Sequence, residues 1–189
     1  MDTIRAFIAL GIDDLTKDII YDFIEKIKEE RAFEDIRWVK RENLHLTLAF
    51  LGEIPVDSIP AIDCLIKEVA SNNCKFKIRF TGIGFFPNLR SPRVCWIGVE
   101  EQLFLEKLKK DIDNGLERIG LRYDKKPFSP HLTIGRIKAN KNKISIEHIR
   151  GLNIDVSYTA SNIWLMKSQL FREGPLYTYV TGSLLKKRK

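Results

Sequence analysis

A four-residue pattern, His-Leu-Thr followed by an aliphatic residue, occurs twice in this chain, beginning at His45 and again at His131. The copies are 131 − 45 = 86 residues apart, close to half of the 189-residue chain, which is the spacing that an internal duplication gives. Side chains alternate between the two faces of a strand, so each histidine shares a face with the threonine two positions on, Thr47 or Thr133. If the halves pack about a pseudo-two-fold axis, the two pairs face each other across a cleft.

Strand-like and helix-like segments occur in mixed order along the rest of the chain. This order predicts an α+β or α/β architecture in a single domain of residues 1–189, whose second half repeats the order of elements in the first. The loop at 86–93 contains two prolines and is the candidate hinge between the halves. The apolar stripes place Ile19 and Leu103 on the buried faces of two helices. Strands are predicted at 5–12, 36–39, 44–51, 76–80, 94–99, 130–136, 154–166 and 177–184. Helices are predicted at 58–70, 102–119 and 145–150, and a further one follows the capping pair Asp13-Asp14 and ends near Arg31.

The charge balance favours an anionic partner. Lysine and arginine number 32 against 25 acidic residues, a net charge of +7, part of which lies in the basic stretch at 186–189. The three cysteines have no CxxC spacing, which argues against a disulfide framework and against the common zinc motifs. No signal peptide and no apolar run of bilayer length is present. We therefore expect a soluble cytoplasmic protein that is monomeric and does not associate with membranes.

Two opposed histidines suit a reaction in which one proton is removed while another is delivered. The ordinary imidazole pKa of about 6.5 allows either role near neutral pH. Phosphodiester hydrolysis is such a reaction, and the two threonine hydroxyls are suited to bind the non-bridging phosphate oxygens. A single His-x-Thr on a strand is usually an ordinary half-buried pair, so the interpretation depends on the repetition. His148 has no such partner motif and is interpreted as a surface helix residue.

Longer stretches of sequence around both motifs resemble the 2H phosphoesterase superfamily, specifically the LigT-like RNA 2',3'-cyclic phosphodiesterases, also described as 2'-5' RNA ligases. The resemblance covers nearly the whole chain. The stretches that carry it are Arg5-Ala6-Phe7-Ile8-Ala9-Leu10, Trp38-Val39, the run from Glu42 to Glu53, Gly84-Phe85-Phe86-Pro87, Pro92-Arg93-Val94-Cys95-Trp96, the run from Phe128 to Arg136, Lys167-Ser168 and Gly174-Pro175-Leu176-Tyr177.

The resemblance implies a fold and an activity. The fold is of the α+β class, with two pseudo-two-fold-related α/β lobes whose antiparallel sheets surround a central cleft. The activity is hydrolysis of a 2',3'-cyclic phosphate to a 2'-phosphate, without a metal or other cofactor, on RNA ends or cyclic nucleotides. Carried over to this sequence, His45 is the proton donor, His131 is the proton acceptor, and Thr47 and Thr133 bind the phosphate.

Arg136 and Phe50 each follow their histidine by five residues. The resemblance makes Arg136 a phosphate-binding cation, a role that suits its planar guanidinium group. In a regular strand Arg136 points away from the face of His131, so this role requires a bulge or a turn at the strand end. Phe50 is its counterpart in the other motif and is suited to stack on a base. The alternatives are an arginine on the outer face of the strand and an aromatic residue of the core.

Two other functions are compatible with the sequence. The same site run in reverse joins RNA ends through a 2'-5' linkage. A non-catalytic RNA-binding module agrees with the basic charge and predicts salt-sensitive binding that does not depend on the histidines.

Overall fold

The computed structural model describes residues 2–100, 103–137, 144–172 and 174–187. These residues form mixed helices and antiparallel sheets, which confirms the predicted α+β class. The strands are β1 (Thr3–Gly11), β2 (Ile36–Trp38), β3 (His45–Pro55), β4 (Phe76–Phe86), β5 (Val94–Val99), β6 (His131–Ile137), β7 (Asp155–Ala160), β8 (Asn162–Phe171) and β9 (Gly174–Leu184). The α-helices are α1 (Asp14–Ile27), α2 (Ile59–Asn72), α3 (Leu103–Arg118) and α4 (Ile146–Ile149).

Two sheets carry the fold. The first sheet has the strand order β3-β1-β8-β9, and the second has the order β2-β6-β5-β4-β7. Every neighbouring pair is antiparallel. Each sheet therefore combines strands from both ends of the chain, because β8 and β9 complete the first sheet while β2 joins the second. The two lobes, one built on each sheet, therefore do not correspond to the two halves of the sequence.

Two predictions are wrong because the chain moves between the sheets in this way, one of a strand and one of the hinge. The single strand predicted at 154–166 is two strands, β7 in the second sheet and β8 in the first, and the chain crosses between the sheets at Ser161. The predicted hinge at 86–93 joins β4 to β5, which are neighbours in one sheet, and so cannot link the lobes. A hydrogen bond from Arg93 N to Phe86 O (2.7 Å) closes this connection.

Helices cover the sheets with narrow apolar stripes. Asp13 caps the first turn of α1, since Thr16 N donates to Oδ1 of Asp13 (2.9 Å). Helix α1 contacts β7, α2 contacts β8 and β9, and α3 contacts α2 and β3. Ile19 and Leu103 are exposed, contrary to expectation, because each lies beside rather than on the buried stripe of its helix. Within the described part of the chain, no helix combines the length and the apolar composition needed to cross a bilayer.

Candidate active site

Chain connectivity brings the two motif strands together. Strand β2 pairs with β6 through Trp38 and Gly135, and the chain then needs only seven residues to reach His45 at the start of β3. The segment that precedes β6 is tied to β3, because Asp124 N donates to Phe50 O (2.9 Å). As a result, β3 of the first sheet and β6 of the second contact each other.

The two histidines have the same local setting. Each is the first residue of its strand and lies opposite a glycine, His45 opposite Gly11 and His131 opposite Gly98. Nδ1 of His45 is 2.7 Å from the carbonyl oxygen of Asn43, and Nδ1 of His131 is 2.7 Å from that of Ser129. A carbonyl oxygen only accepts hydrogen bonds, so each Nδ1 carries the proton and donates it. In the neutral imidazoles, both Nε2 atoms therefore have a free lone pair.

A bulge follows the threonine in each motif. Thr47 pairs with Ala9 and Ala49 with Ile8, which leaves Leu48 as an extra residue in β3. In β6, Thr133 pairs with Trp96 and Gly135 with Cys95, so the corresponding extra residue is Ile134. Residues 45–50 and 131–136 therefore have the same burial pattern. The histidine and the threonine are half-buried, the two residues after the threonine are buried, and the sixth residue is exposed.

The bulges shift the alternation of side chains by one position. Phe50 and Arg136 therefore lie on the face that carries the histidine and the threonine of their strand. The Phe50 ring centroid is 6.3 Å from that of Phe7, whose ring in turn is 4.7 Å from that of His45. The bulge that the Arg136 role requires is thus present, and Arg136 is exposed on this face. The described residues form no ion pair with Arg136.

Aromatic rings enclose each imidazole. His45 lies 4.7 Å from Phe7 and 5.1 Å from Tyr177, measured between ring centroids. His131 lies 4.9 Å from Phe86 and 6.4 Å from Trp96. These rings remove water from the imidazoles and restrict their rotation, which fixes the direction of Nε2.

Both histidines have lowered pKa values, which favours the neutral form. Burial is the largest cause for His45 and lowers its pKa to about 4, and the positive charges of Lys17, His131 and Arg136 act in the same direction. The hydrogen bond to the Asn43 carbonyl opposes the shift. Burial also lowers the pKa of His131, again with a contribution from Arg136.

The effects of His131 and Arg136 on the pKa of His45, and of Arg136 on that of His131, agree with the contact between β3 and β6. The structure therefore brings together the predicted residues of both motifs. Thr47 and Thr133 lie half-buried on the same strand faces as the histidines. His148 lies exposed on α4, and its Nδ1 accepts a hydrogen bond from Ser145 N (3.0 Å).

Sequence reasoning assigned no role to three residues that shape the site. Phe7 and Tyr177 pack on His45, and both lie in stretches that carry the family resemblance, so the signal was present. Lys17 is 7% exposed on α1 and acts on His45 through its charge. It lies among alternating charged and apolar residues of an amphipathic helix, and no sequence pattern marks it.

The fold and the repeated motif define this chain as a 2H phosphoesterase. It belongs to the 2'-5' RNA ligase superfamily, whose family model matches residues 16–170. Two similar proteins carry the name RNA 2',3'-cyclic phosphodiesterase. The protein from Thermotoga maritima is 36% identical over 182 residues, which cover 92% of this chain and 91% of that protein. The protein from Archaeoglobus fulgidus is 35% identical over 175 residues, with 92% and 96% covered.

Solved structures share the fold. A crystal structure of a protein from Thermus thermophilus has a TM-score of 0.81 and 27% sequence identity, and the match covers 98% of this chain and all (100%) of that one. LigT of E. coli, solved in complex with 3'-AMP, has a TM-score of 0.80 and 26% identity, with 98% and 100% covered. The expected α+β fold with LigT-like architecture is thereby confirmed.

Proposed function

We propose that this chain hydrolyses 2',3'-cyclic phosphates of RNA ends or nucleosides to 2'-phosphates by metal-independent acid–base catalysis. The names of the curated relatives support the substrate class. The observation that carries the chemistry is the matched setting of His45 and His131, in which each Nδ1 donates to a backbone carbonyl. Both Nε2 atoms are thereby left for proton transfer, which the reaction requires at two points.

The proposed step is a single displacement at phosphorus. Nε2 of His131 accepts a proton from a water molecule, whose oxygen forms a bond to phosphorus. The bond between phosphorus and O3' breaks, and O3' receives a proton from Nε2 of His45. The ester bond to O2' remains, so the product is a 2'-phosphate, and the two histidines return to their starting states by exchanging protons with solvent.

The other motif residues act on the charge of the phosphate. In the proposal, the hydroxyl groups of Thr47 and Thr133 donate hydrogen bonds to the non-bridging oxygens. The Arg136 guanidinium adds a positive charge whose attraction strengthens as charge develops in the transition state. The bulged face that carries Arg136 together with His131 supports this assignment.

His45 must carry a second proton to act as the donor, and substrate binding favours its uptake from solvent. Because both imidazole pKa values are lowered, the free protein holds His45 and His131 mainly neutral at pH 7. An anionic phosphate beside the imidazoles raises their pKa values, since an opposite charge favours the protonated form. The proposed complex therefore takes up the proton that His45 later donates.

The test compares three histidine variants on adenosine 2',3'-cyclic phosphate in the presence of EDTA. His45→Gln and His131→Gln are expected to lose on the order of 10²- to 10⁴-fold in rate. The exposed His148→Gln is the matched control and is expected to retain the wild-type rate. Full activity of the His45/His131 double variant would contradict catalysis by the histidines. A wild-type protein that hydrolyses nothing but binds RNA in a salt-sensitive way, equally well with and without the histidines, would favour an RNA-binding module. Activity that is lost in EDTA and restored by a divalent metal would contradict metal independence, and a 3'-phosphate product would contradict the assignment of the leaving oxygen.

The same two histidines also support RNA end joining as a second candidate, because Nε2 of His131 can accept the proton of a 5'-hydroxyl group instead of that of water, while the bond to O3' breaks as before and Nε2 of His45 protonates O3'. In that reaction a 5'-hydroxyl of a second strand replaces water and attacks the cyclic phosphate. An RNA with a cyclic-phosphate end is incubated with and without a 5'-hydroxyl acceptor strand. Joined product with a 2'-5' linkage supports end joining, and hydrolysis alone under both conditions contradicts it.

A further inference from the structure

The cleft face of the first sheet carries two separate aromatic surfaces. Phe50, which is 53% exposed, lies on β3 at one edge of the sheet. Tyr179, also 53% exposed, lies on β9 at the other edge. The two edge strands of this four-stranded sheet, β3 and β9, are roughly 14 Å apart at the usual spacing of about 4.8 Å between neighbouring strands. A single nucleobase cannot stack on both rings.

Tyr179 forms part of a small recess beside His45. Its ring centroid is 4.9 Å from that of Trp164, with the two rings nearly edge to face, and both line the recess together with His45 and Tyr177. Met166 and Ala9 form the floor between them. The recess has a volume of about 10 Å³, room for one water molecule, so a base does not enter it but lies over its aromatic edge, against the exposed ring of Tyr179.

Two glycines create the space that Trp164 occupies. A Cβ atom at Gly182 of β9 would lie 2.1 Å from Cε3 of the indole, and one at Gly11 of β1 would lie 3.0 Å from its Nε1. Glycine weakens a strand, so two glycines that flank one tryptophan indicate that the position of this ring matters. The indole lies on the cleft face, where it packs against Phe7, Ala9 and Met166.

The charges around the recess favour a base over a phosphate. The described residues that line it include the exposed carboxylate of Glu42 and no lysine or arginine. A carboxylate repels a phosphate but accepts hydrogen bonds from the amino and imino groups of a base. Positive charges act on the recess only from outside its lining, Lys17 and Arg136 on His45 and Arg136 and Arg5 on Tyr177.

We propose that Trp164 and Tyr179 form a second nucleobase subsite, which takes the base preceding the cyclic-phosphate end while Phe50 takes the terminal base. Phe50 is assigned the terminal base because β3 is the strand that contacts β6, where the phosphate lies between the histidines. The recess extends to β9, farther from β6, and a chain that continues in the 5' direction reaches it. Aromatic side chains on a four-stranded antiparallel sheet commonly stack successive bases of single-stranded RNA. This inference rests on the proposed function and specifies its substrate as an RNA end of at least two nucleotides.

The test measures kcat/KM for adenosine 2',3'-cyclic phosphate and for the dinucleotide ApA with a 2',3'-cyclic end. The wild-type protein is expected to prefer the dinucleotide by on the order of tenfold, the usual size of one base–aromatic stack. Tyr179→Ala is expected to bring the ratio of the two values towards one. Tyr179→Phe keeps the ring and is expected to keep the preference. Tyr21→Ala, on α1 outside the recess, is the matched control for loss of a tyrosine.

Two results would overturn the subsite. They are a wild-type protein without preference for the dinucleotide, and an equal loss of both activities in Tyr179→Ala, which leaves the ratio unchanged. The preference is also measured without turnover, as the ratio of the Kd values for adenosine 2'-phosphate and for ApA with a 2'-phosphate. If neither cyclic substrate is hydrolysed but the Kd ratio depends on Tyr179, the proposed function fails and the subsite stands. If hydrolysis occurs but neither ratio depends on Tyr179, the subsite fails and the proposed function stands.

Discussion

Trp96 occupies the space that a side chain at Gly84 would need, since a Cβ atom there would lie 2.1 Å from Cζ2 of the indole. The two residues are direct partners in the β4–β5 pair. Trp96 also lies 5.1 Å from Phe86, and both rings contact His131. A glycine in the middle of the second sheet therefore sets the position of the rings that hold this imidazole.

The first prediction follows from that contact. Gly84→Ala is expected to displace Trp96 and thereby shift His131, which lowers kcat by about tenfold or more while the protein stays folded, because a small misplacement of a catalytic group is costly. Activity and near-ultraviolet circular dichroism measure the two effects. Trp96→Leu removes the ring that clashes, so adding Gly84→Ala in that background is expected to cost little more. Equal effects of Gly84→Ala in both backgrounds would contradict the explanation.

The second prediction concerns the pH dependence of the rate. The profile of kcat/KM reports the free protein, in which the pKa of His45 is about 4 and that of His131 is also lowered. Its maximum is therefore expected on the acid side of pH 6.5, the ordinary imidazole value. The profile of kcat reports the complex, where the bound phosphate raises both pKa values, so its maximum is expected at higher pH. Coincident maxima above neutral pH would contradict the lowered pKa values.

The third prediction concerns acid stability. In the unfolded chain His45 takes up a proton below its ordinary pKa of about 6.5, whereas in the folded protein it stays neutral down to about pH 4. The free energy of unfolding therefore falls as the pH drops from about 6.5 to 4, by roughly 2 to 3 kcal/mol from this group. Urea unfolding of wild type and His45→Gln at pH 7 and 4.5 measures the difference. The variant is expected to lose less stability than wild type, and equal losses would contradict the prediction.

Local sequence patterns predicted most of the elements and the faces that carry the site. The strand at 94–99 agrees residue by residue with β5, and the alternation at 76–80 agrees with the burial of Phe76, Ile78 and Phe80. The motif histidines and threonines lie on the predicted faces because a period of two determines the face of a strand.

Non-local features could not be predicted in this way. The alternation of buried residues shifts by one position between Ala160 and Ile163, but such a shift does not show that the chain changes sheets at Ser161. The bulges at Leu48 and Ile134 are defined by partner strands β1 and β5. Lys17 reaches the site only through the packing of α1, which no pattern within the helix specifies.

The fourth prediction tests Lys17. Its positive charge lowers the pKa of His45, so Lys17→Met is expected to raise that pKa from about 4 towards 6.5. NMR titration of the imidazole Cε1–H signal measures the shift directly. Lys26→Met is the matched control, since Lys26 is exposed on the same helix and does not act on His45. An unchanged His45 pKa in Lys17→Met, or an equal shift in the control, would contradict this role.

The fifth prediction tests whether the bulge at Ile134 gives Arg136 its place in the site. Arg136→Gln removes a charge that lowers the pKa of both histidines, so both pKa values are expected to rise. It also removes a charge-assisted hydrogen bond to the phosphate, and kcat/KM is expected to fall by roughly 10- to 100-fold. Arg90→Gln, in the exposed β4–β5 connection, changes the net charge equally and is the control. If Arg90→Gln causes the same loss, the effect of Arg136 is a general attraction between a basic protein and an anionic substrate. If only Arg136→Gln lowers the rate and raises the pKa values, its position on the bulged face of β6 is responsible.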